Sequence, residues 1–169
     1  MLPILKYKST CFHPDCVIKL LCKIIIGNIM ILKIKKLHAD AKIPKYAHQD
    51  DAGFDLFAIE DITLKKGERA MIPTGIAMEI PEGYVGLIWD KSGLSIKNGI
   101  KTMGGVVDSM YRGEVLIGLV NLSDTDYTFL KGHKIAQMII QKKEFVDFEE
   151  VKELSDTARG EGALGSTGK

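Results

Sequence analysis

The fold class is indicated most clearly by residues 70–89, Ala70-Met-Ile-Pro-Thr-Gly-Ile-Ala-Met-Glu-Ile-Pro-Glu-Gly-Tyr-Val-Gly-Leu-Ile-Trp89. This stretch contains short β-type runs at residues 70–73, 76–80 and 85–89, and Pro81-Glu-Gly83 supplies turn chemistry before the last of them. Runs this short and this closely spaced leave no room for the long 3.6-residue periods of helices. The stretch therefore predicts consecutive strands of an all-β domain.

The remainder of the chain continues this pattern of short strands. Turn residues such as Lys66-Gly67, Ser123-Asp124 and Lys131-Gly132 separate the runs. One short helix is predicted at Ser92–Asn98, with a hydroxyl at its start and Gly99 just past its end. The further runs are residues 31–37, 62–64, 115–122, 128–130 and 135–141. Together they predict one sandwich, barrel or jelly roll, without an internal repeat, a coiled coil or a second domain.

The composition fits one globular domain and disfavours two classes of partner. The chain has 169 residues, of which 46% are hydrophobic and 27% are charged. The chain has 23 basic and 22 acidic residues, so it has no large excess of positive charge that would favour nucleic acid as a partner. The apolar stretch at residues 16–32 is interrupted by Lys19, Lys23 and Asn28 and is too short to span a bilayer well. We therefore expect a cytoplasmic protein with no nucleic-acid or membrane partner.

The first 29 residues differ from the rest of the chain. They contain all of the cysteines, which are Cys11, Cys16 and Cys22. Together with His13 these could be metal ligands, but their spacing matches no zinc pattern, and an odd count at one end excludes a disulfide framework. Regular alternation of apolar and polar residues, as in a β-strand, begins only at Ile31. We predict that Met30 is the biological start and that residues 1–29 are an upstream extension; the alternative is a genuine but weakly ordered arm.

Clusters of polar residues punctuate the predicted β body. Asp51-Ala-Gly-Phe-Asp-Leu56 is, by itself, a strand-entry turn with a glycine. Asp90-Lys-Ser-Gly-Leu94 places a lysine and a serine at the start of the predicted helix. Open N–H groups and the helix dipole attract anions there, and Lys91 adds a formal charge. Because Ser92 could instead be a plain N-cap, an anion site and a structural cap both stay open.

The densest cluster is Gly104-Gly-Val-Val-Asp-Ser-Met-Tyr-Arg-Gly-Glu114. Asp108 directly follows the apolar pair Val106-Val107, so we expect its carboxylate to be held at a rigid strand end. From there it can orient or deprotonate a water, while Tyr111 offers a flat face and Arg112 a fork of donors. The alternative is a hairpin with an aspartate in its turn.

Two further segments complete the set. In Lys131-Gly-His-Lys-Ile-Ala-Gln137, Gln137 interrupts an apolar strand and must find polar partners, structural or substrate. The last segment is Arg159-Gly-Glu-Gly-Ala-Leu-Gly-Ser-Thr-Gly-Lys169, whose glycines, hydroxyls and guanidinium offer donors to phosphate oxygens. Glycine-rich loops that bind phosphate usually lie directly before the first turn of a helix, and no residues follow here to build one. The tail is therefore either a terminus of no consequence or an arm that closes over a phosphorylated ligand.

Taken together and in this order, the segments resemble the five motifs of the trimeric dUTPase family, which hydrolyses dUTP to dUMP and pyrophosphate. The matching segments are residues 52–56, 91–94, 105–113, 131–137 and 159–168. The resemblance covers residues 30–169, nearly the whole chain apart from its start. One such match would be weak, whereas five in register across a strand-rich chain are specific.

The resemblance implies a distorted jelly-roll β domain over residues 30–158 and a mobile C-terminal arm over residues 159–169. It also implies a homotrimer with active sites at subunit interfaces, each closed by such an arm. Mg²⁺ would be chelated mainly by the triphosphate, with protein contact through water and Asp55 as the nearest matching acid. The activity would limit uracil in DNA and supply dUMP for dTMP synthesis.

Site roles carry over position by position. Asp108 would activate the water that attacks the α-phosphate. Tyr111 would pack under the deoxyribose and leave no room for a 2′-hydroxyl. Backbone groups of Gly105, Val106 and Val107 would read the uracil edge. The other expected substrate contacts are Lys91, Ser92, Gly93, Gln137, Arg159, Leu164, Gly165 and Ser166.

Three positions depart from the family pattern. Lys91 and Lys134 stand where the motifs usually carry arginine, which keeps the charge but loses the bidentate fork. Leu164 stands where an aromatic residue usually covers the uracil. A leucine can still cover the base by apolar contact, but stacking worth about 1 kcal/mol is lost.

Two other functions compete with dUTP hydrolysis. A dCTP deaminase shares the fold but needs a glutamate general acid–base and a serine- and arginine-rich phosphate segment, which Lys91-Ser-Gly93 does not match. A catalytically weakened dUTPase-fold protein with a binding or regulatory role is the second alternative, and the three departures motivate it. The presence of Asp108, Tyr111, Gln137 and Arg159 favours the enzyme.

Leu164→Phe is expected to lower the KM for dUTP about fivefold while leaving kcat unchanged, since the ring restores stacking worth about 1 kcal/mol. Initial rates of pyrophosphate release over a range of dUTP concentrations measure this. Leu164→Ile keeps an aliphatic side chain and should retain the original KM. An unchanged KM in the phenylalanine variant would contradict the stacking explanation.

Overall fold

The computed structural model describes residues 30–162, and these form a mostly β protein with one short helix. The strands are β1 Lys33–Lys36, β2 Phe54–Phe57, β3 Ile62–Leu64, β4 Arg69–Pro73, β5 Ile76–Glu79, β6 Tyr84–Trp89, β7 Ile100–Met103, β8 Val106–Asp108, β9 Leu116–Asn121, β10 Tyr127–Phe129 and β11 Lys134–Lys142. The helix, α1, is Ser92–Asn98. Predictions for residues 1–29 and for Leu164, Gly165 and Ser166 lie outside the described residues.

The strands pair antiparallel in small sheets around one core. The largest sheet has the order β2-β11-β6-β8, the next has β4-β9-β7, and the pairs β1-β5 and β3-β10 complete the set. All of these sheets contribute buried apolar side chains to a single cluster, including Leu56, Leu64, Ile72, Ile76, Ile100, Ile117, Leu119, Phe129, Ile135 and Met138. The arrangement is the all-β jelly-roll type that the sequence predicts.

Most strands occupy the positions that the sequence predicts, and two do not. The runs at residues 31–37, 62–64, 70–73, 76–80, 85–89, 115–122, 128–130 and 135–141 correspond to β1, β3, β4, β5, β6, β9, β10 and β11, and β8 is the strand expected to end at Asp108. The strand-entry turn predicted at residues 51–56 is shorter than expected, because the strand already begins at Phe54; every residue of Phe54–Phe57 is buried, so no alternation marks this strand. Ile100–Met103 was not predicted, because it starts directly after Gly99 with no turn sequence in between.

The helix begins and ends in different ways. Its N-cap residue, Lys91, is extended (φ −84°, ψ 123°), and no side chain caps the first turn. The interpretation of Ser92 as an N-cap is therefore wrong. Gly99 closes the helix in the left-handed region at φ 66°, as predicted, and an added Cβ there would lie 2.9 Å from the backbone nitrogen of Ser123. This fixed ending turns the chain directly into β7.

No helix within residues 30–162 has the length and hydropathy needed to cross a membrane.

Candidate functional site

A buried carboxylate held between two lysines forms the first part of the site. Asp55, in β2, is only 2% exposed. The Nζ of Lys91 donates a hydrogen bond of 2.5 Å to Oδ1 of Asp55, and the Nζ of Lys134 lies 2.6 Å from Oδ2. The side chains of Lys91 and Lys134 are 26% and 42% exposed. Both ammonium groups can therefore face a bound anion while they neutralise the carboxylate.

The charge on this group favours a polyanionic ligand. Burial raises the pKa of Asp55, but the ammonium groups of Lys134 and Lys91 outweigh burial and hold the pKa below its usual range. Asp55 is accordingly ionised at neutral pH, and two cations against one anion leave one positive charge in excess. Phosphate oxygens are a matching ligand for such an excess.

Asp55 is also the acid that, by the resemblance described above, would contact Mg²⁺ through water. Each of its oxygens faces an ammonium group, so a divalent ion could bind the carboxylate directly only by displacing Lys91 or Lys134. Among residues 30–162, no group of three or more histidine, cysteine, aspartate or glutamate side chains is arranged to hold a metal. Asp55 thus does not fit a direct ligand role, and the water-mediated contact stays a prediction.

Gln137 connects these charges to the turn between β6 and α1. It pairs with Asp55 across the β2–β11 ladder, and its Nε2 donates a hydrogen bond of 2.8 Å to the backbone carbonyl of Asp90. The amide therefore fixes the backbone immediately before Lys91. We call Asp55, Lys91, Lys134 and Gln137 the cationic cluster.

Asp90 anchors the same turn from its other side. Its Oδ1 accepts hydrogen bonds from the backbone N–H of Thr102 at 2.7 Å and from the Thr102 hydroxyl at 2.6 Å, while Oδ2 contacts the ammonium group of Lys101. Burial raises the pKa of Asp90, but its bonds to Lys101 and Thr102 outweigh burial and hold the pKa below its usual range. Sequence reasoning missed this role, although an acid directly after an apolar run was a visible signal.

Ser92 and Gly93 follow Lys91 at the exposed start of α1. An added Cβ at Gly93 would meet no atom within 4 Å. The backbone there is open to a ligand, which is the condition that the predicted phosphate contacts require.

The second part of the site is a groove beside β8, which we call the hairpin groove. It has a volume of about 460 Å³, within the range of small-molecule sites. Gly105 adopts φ 116°, its carbonyl accepts a hydrogen bond of 2.7 Å from the N–H of Ile88, and an added Cβ would lie 2.8 Å from the Ile88 oxygen. Val106 and Val107 continue along β6, opposite Leu87 and Gly86. Glycine is therefore required at residue 105 to bring β8 against β6.

Asp108 ends β8, as the sequence predicts. It pairs with Val85 of β6, and its backbone carbonyl accepts a hydrogen bond of 3.1 Å from the N–H of Tyr111. The side chain is exposed and lines both the hairpin groove and a neighbouring groove of about 720 Å³. The carboxylate is thus held by a rigid ladder and stays open to water and ligand.

Tyr111 lines the hairpin groove and is 45% exposed. Its hydroxyl donates a hydrogen bond of 2.9 Å to the backbone carbonyl of Glu114. The Glu114 carboxylate in turn accepts a hydrogen bond of 2.7 Å from the N–H of Gly75. The far end of the ring is tethered to the protein body rather than free to rotate.

The two parts of the site do not meet within one chain. Gln137 lies opposite Trp89 on one side of β6, and Asp108 lies opposite Val85 on the other side. Trp89 and Val85 are about 13 Å apart along the strand, and the two flanking strands are about 10 Å apart, which gives roughly 16 Å between the Gln137 and Asp108 backbones. Lys91 lies beyond Trp89 along the chain, so it follows the Gln137 end of the strand.

Arg159 belongs to neither part. Its Nε donates a hydrogen bond of 2.8 Å to the carbonyl of Gly162 within its own turn, and it does not line either groove that contains Asp108. With Leu164, Gly165 and Ser166 outside the described residues, the roles expected of the arm stay predictions.

Comparison with known proteins shows what this chain is similar to. A family model described as dUTPase matches residues 39–168. The deoxyuridine 5′-triphosphate nucleotidohydrolase of Clostridium tetani is 49% identical over 140 residues, which cover 82% of this chain and 97% of the relative. A solved mutant dUTPase of Staphylococcus bacteriophage 80alpha with dUpNHpp has a TM-score of 0.77 at 32% identity, covering 82% of this chain and 99% of that one. A mutant dUTPase of phage phi11 of S. aureus, which coordinates a structural Mg(II) ion, has a TM-score of 0.70 at 28% identity, covering 75% of this chain and 100% of that one.

Asp55→Asn is expected to destabilise the protein in a pH-dependent way. Folding lowers the pKa of Asp55, so its contribution is present above the unfolded pKa of about 3.9 and is lost as the pH falls through the folded-state pKa. The difference in unfolding free energy between the wild type and Asp55→Asn should therefore hold from pH 7 to about 5 and shrink toward pH 3. Urea unfolding at fixed protein concentration measures it.

Asp147→Asn, on the exposed segment after β11, is the matched control for the loss of one acid. It should show a much smaller difference from the wild type at neutral pH. A difference for Asp55→Asn that stayed constant down to pH 3 would contradict an ionised, lysine-paired carboxylate.

Proposed function

The chain belongs to the dUTPase family, and we propose that it hydrolyses dUTP in a site built from the hairpin groove of one subunit and the cationic cluster of another. The activity, conversion of dUTP to dUMP and pyrophosphate, follows from family membership. The observation that carries the shared site is the separation of roughly 16 Å between the Asp108 and Gln137 backbones within one chain.

Asp108 is the general base of the reaction. It takes a proton from the water whose oxygen bonds to the α-phosphorus, and the bond from that phosphorus to the pyrophosphate oxygen breaks. Support for this role comes from an exposed carboxylate at the end of a hydrogen-bonded strand, on the wall of two grooves. A water and a substrate can reach it together, and neither has to move the backbone.

The nucleoside lies in the hairpin groove. Backbone groups of Gly105, Val106 and Val107 read the uracil edge, where the close approach of β8 to β6 fixes their positions. The ring of Tyr111 packs under the deoxyribose and excludes a 2′-hydroxyl. Its tether to the Glu114 carbonyl supports this role, because a ring that excludes one hydroxyl must be held in place.

The phosphates lie against the cationic cluster. Lys91 and Lys134 supply positive charge, and Ser92 and Gly93 hold phosphate oxygens where the backbone is open. Gln137 supports this region by fixing the carbonyl of Asp90, one residue before Lys91. Preorganised cations of this kind stabilise the charge that develops on the transferring phosphorus.

The C-terminal arm completes the site. Arg159 and Ser166 grip the far end of the triphosphate, Leu164 covers the uracil by apolar contact, and Gly165 lets the backbone approach. Closure of such an arm excludes bulk water and strengthens the electrostatics at the reacting phosphorus.

A Mg²⁺ ion would be held mainly by the triphosphate and would supply charge neutralisation on the phosphates. Asp55 would contact it through water, because both carboxylate oxygens are already paired with ammonium groups. The main role of Asp55 is to orient Lys91 and Lys134.

The assembly is a homotrimer. A site that needs both parts is incomplete in one chain, and a closed ring of identical chains supplies the missing part to every copy in the same way. The exposed Met71, Met103 and Val106 give an apolar surface around the hairpin groove that is available for such contacts.

Pyrophosphate release separates this function from its two alternatives. With Mg²⁺ and a panel of dUTP, dCTP, dTTP and UTP, we expect turnover of dUTP alone. Asp108→Asn should abolish it while leaving the thermal unfolding midpoint near that of the wild type, because the side chain is exposed. Ammonia release from dCTP would favour the deaminase, and no turnover of any nucleotide would favour a binding protein.

Mixed trimers test the shared site. Asp108→Asn and Gln137→Ala subunits are each expected to be inactive alone; unfolded together and refolded as a mixture, they should recover about a quarter of the wild-type activity. The reason is that each of the two residues is intact in half of the subunits, so about a quarter of the intersubunit sites contain both. A mixture as inactive as its components would contradict the intersubunit arrangement but not the activity.

A further inference from the structure

We propose that Gly113 is a specificity-determining residue, because its missing side chain leaves the space in which the ring of Tyr111 stands. The proposal rests on the role given above to Tyr111 and extends it to a residue that touches no substrate. It turns on the geometry of one turn, residues 108–114, which joins β8 to β9.

The ring of Tyr111 lies directly over Gly113. A Cβ built on Gly113 would lie 2.6 Å from Cζ and 2.9 Å from Cε2 of that ring, and it would also collide with the hydroxyl oxygen. Carbon atoms that are not bonded approach to about 3.5 Å at their optimum, so any side chain at residue 113 forces the ring to move.

The backbone gives no other reason for a glycine at this position. Gly113 is not among the glycines with positive φ, unlike Gly75, Gly99 and Gly105. It is also exposed, so burial does not demand a small residue. The contact with the Tyr111 ring is therefore the structural feature that an alanine would violate.

The hydroxyl end of the ring, which lies beside Gly113, is held by a chain of hydrogen bonds. The Tyr111 hydroxyl donates to the Glu114 carbonyl, and the Glu114 carboxylate accepts from the N–H of Gly75. The next residue, Val115, donates its N–H to the carbonyl of Ile76 at 2.9 Å. The ring is thus tethered at its hydroxyl and given room at residue 113, and the two conditions together define its position.

A displaced ring changes function before it changes stability. The atoms in the way belong to the end of one side chain on the surface, and that side chain can rotate without disturbing the core. The hydroxyl would then leave the Glu114 carbonyl, and the ring would leave the place under the sugar where it excludes a 2′-hydroxyl. Discrimination between dUTP and UTP is the property that must suffer.

The test is a double-mutant cycle of four proteins: wild type, Gly113→Ala, Tyr111→Leu and the double variant. The readout is the ratio of kcat/KM for dUTP to kcat/KM for UTP, with thermal unfolding midpoints as the record of folding. In the wild-type background we expect Gly113→Ala to lower the ratio about tenfold or more. In the Tyr111→Leu background the same change should alter it less than about twofold, because the clashing ring is gone.

Each outcome has a distinct meaning. An unchanged ratio in Gly113→Ala, or the same fall in both backgrounds, overturns the proposal and leaves the role of Tyr111 intact. An unchanged ratio in Tyr111→Leu overturns both that role and the proposal. If Gly113→Ala does not fold, the double variant should fold as well as Tyr111→Leu, since leucine lacks the ring atoms that collide; a double variant that also fails to fold overturns the proposal.

Discussion

Asp55 carries a negative charge into a position that is 2% exposed, and such a charge is tolerated only when it is paired. Its partners come from different parts of the chain, Lys91 from the turn before α1 and Lys134 from the start of β11. One carboxylate therefore fixes three segments relative to each other. Loss of either lysine would leave one oxygen of this buried carboxylate without its ammonium partner, which is far more damaging than the loss of an exposed ion pair.

The same pairing sets the electrostatics of the cationic cluster. Two lysines with one aspartate give a modest excess of positive charge, held on flexible stems rather than presented as a planar fork. Gln137 and Asp90 compensate by fixing the backbone beneath Lys91 through hydrogen bonds to a carbonyl and to β7. The position of Lys91 is therefore set by the turn that carries it, and not by a planar side chain of its own.

Much of the fold could be predicted from the sequence, because alternation and turn residues mark strands that have one exposed face. β2 could not be predicted in this way, since a strand buried along its whole length shows no alternation and its aspartate resembles a turn residue. β7 could not be predicted either, because a helix C-cap, and not a turn sequence, precedes this strand. Both failures concern strands whose environment is set by tertiary neighbours.

The candidate site could be predicted from the sequence as a list of residues but not as an arrangement. The order of the motifs singled out Asp108, Tyr111 and Gln137 as candidates, whereas the distance between Asp108 and Gln137 depends on which strands flank β6, and that is a property of sheet order. The partners of Asp55 were hidden, because pairs separated by tens of residues leave no local signal.

Gly105 has a consequence at the level of the gene. All glycine codons share their first two bases, so a single-base change either is silent, introduces a stop, or encodes alanine, valine, aspartate, glutamate, serine, arginine, cysteine or tryptophan. Each of these amino acids carries a Cβ, and a Cβ at this position would stand 2.8 Å from the Ile88 oxygen on a backbone at φ 116°. Every amino-acid replacement that a single-base change can produce at this codon therefore strains the backbone. After random mutagenesis of the gene, variants that retain function should carry no substitution at residue 105, whatever the chemical character of the replacement.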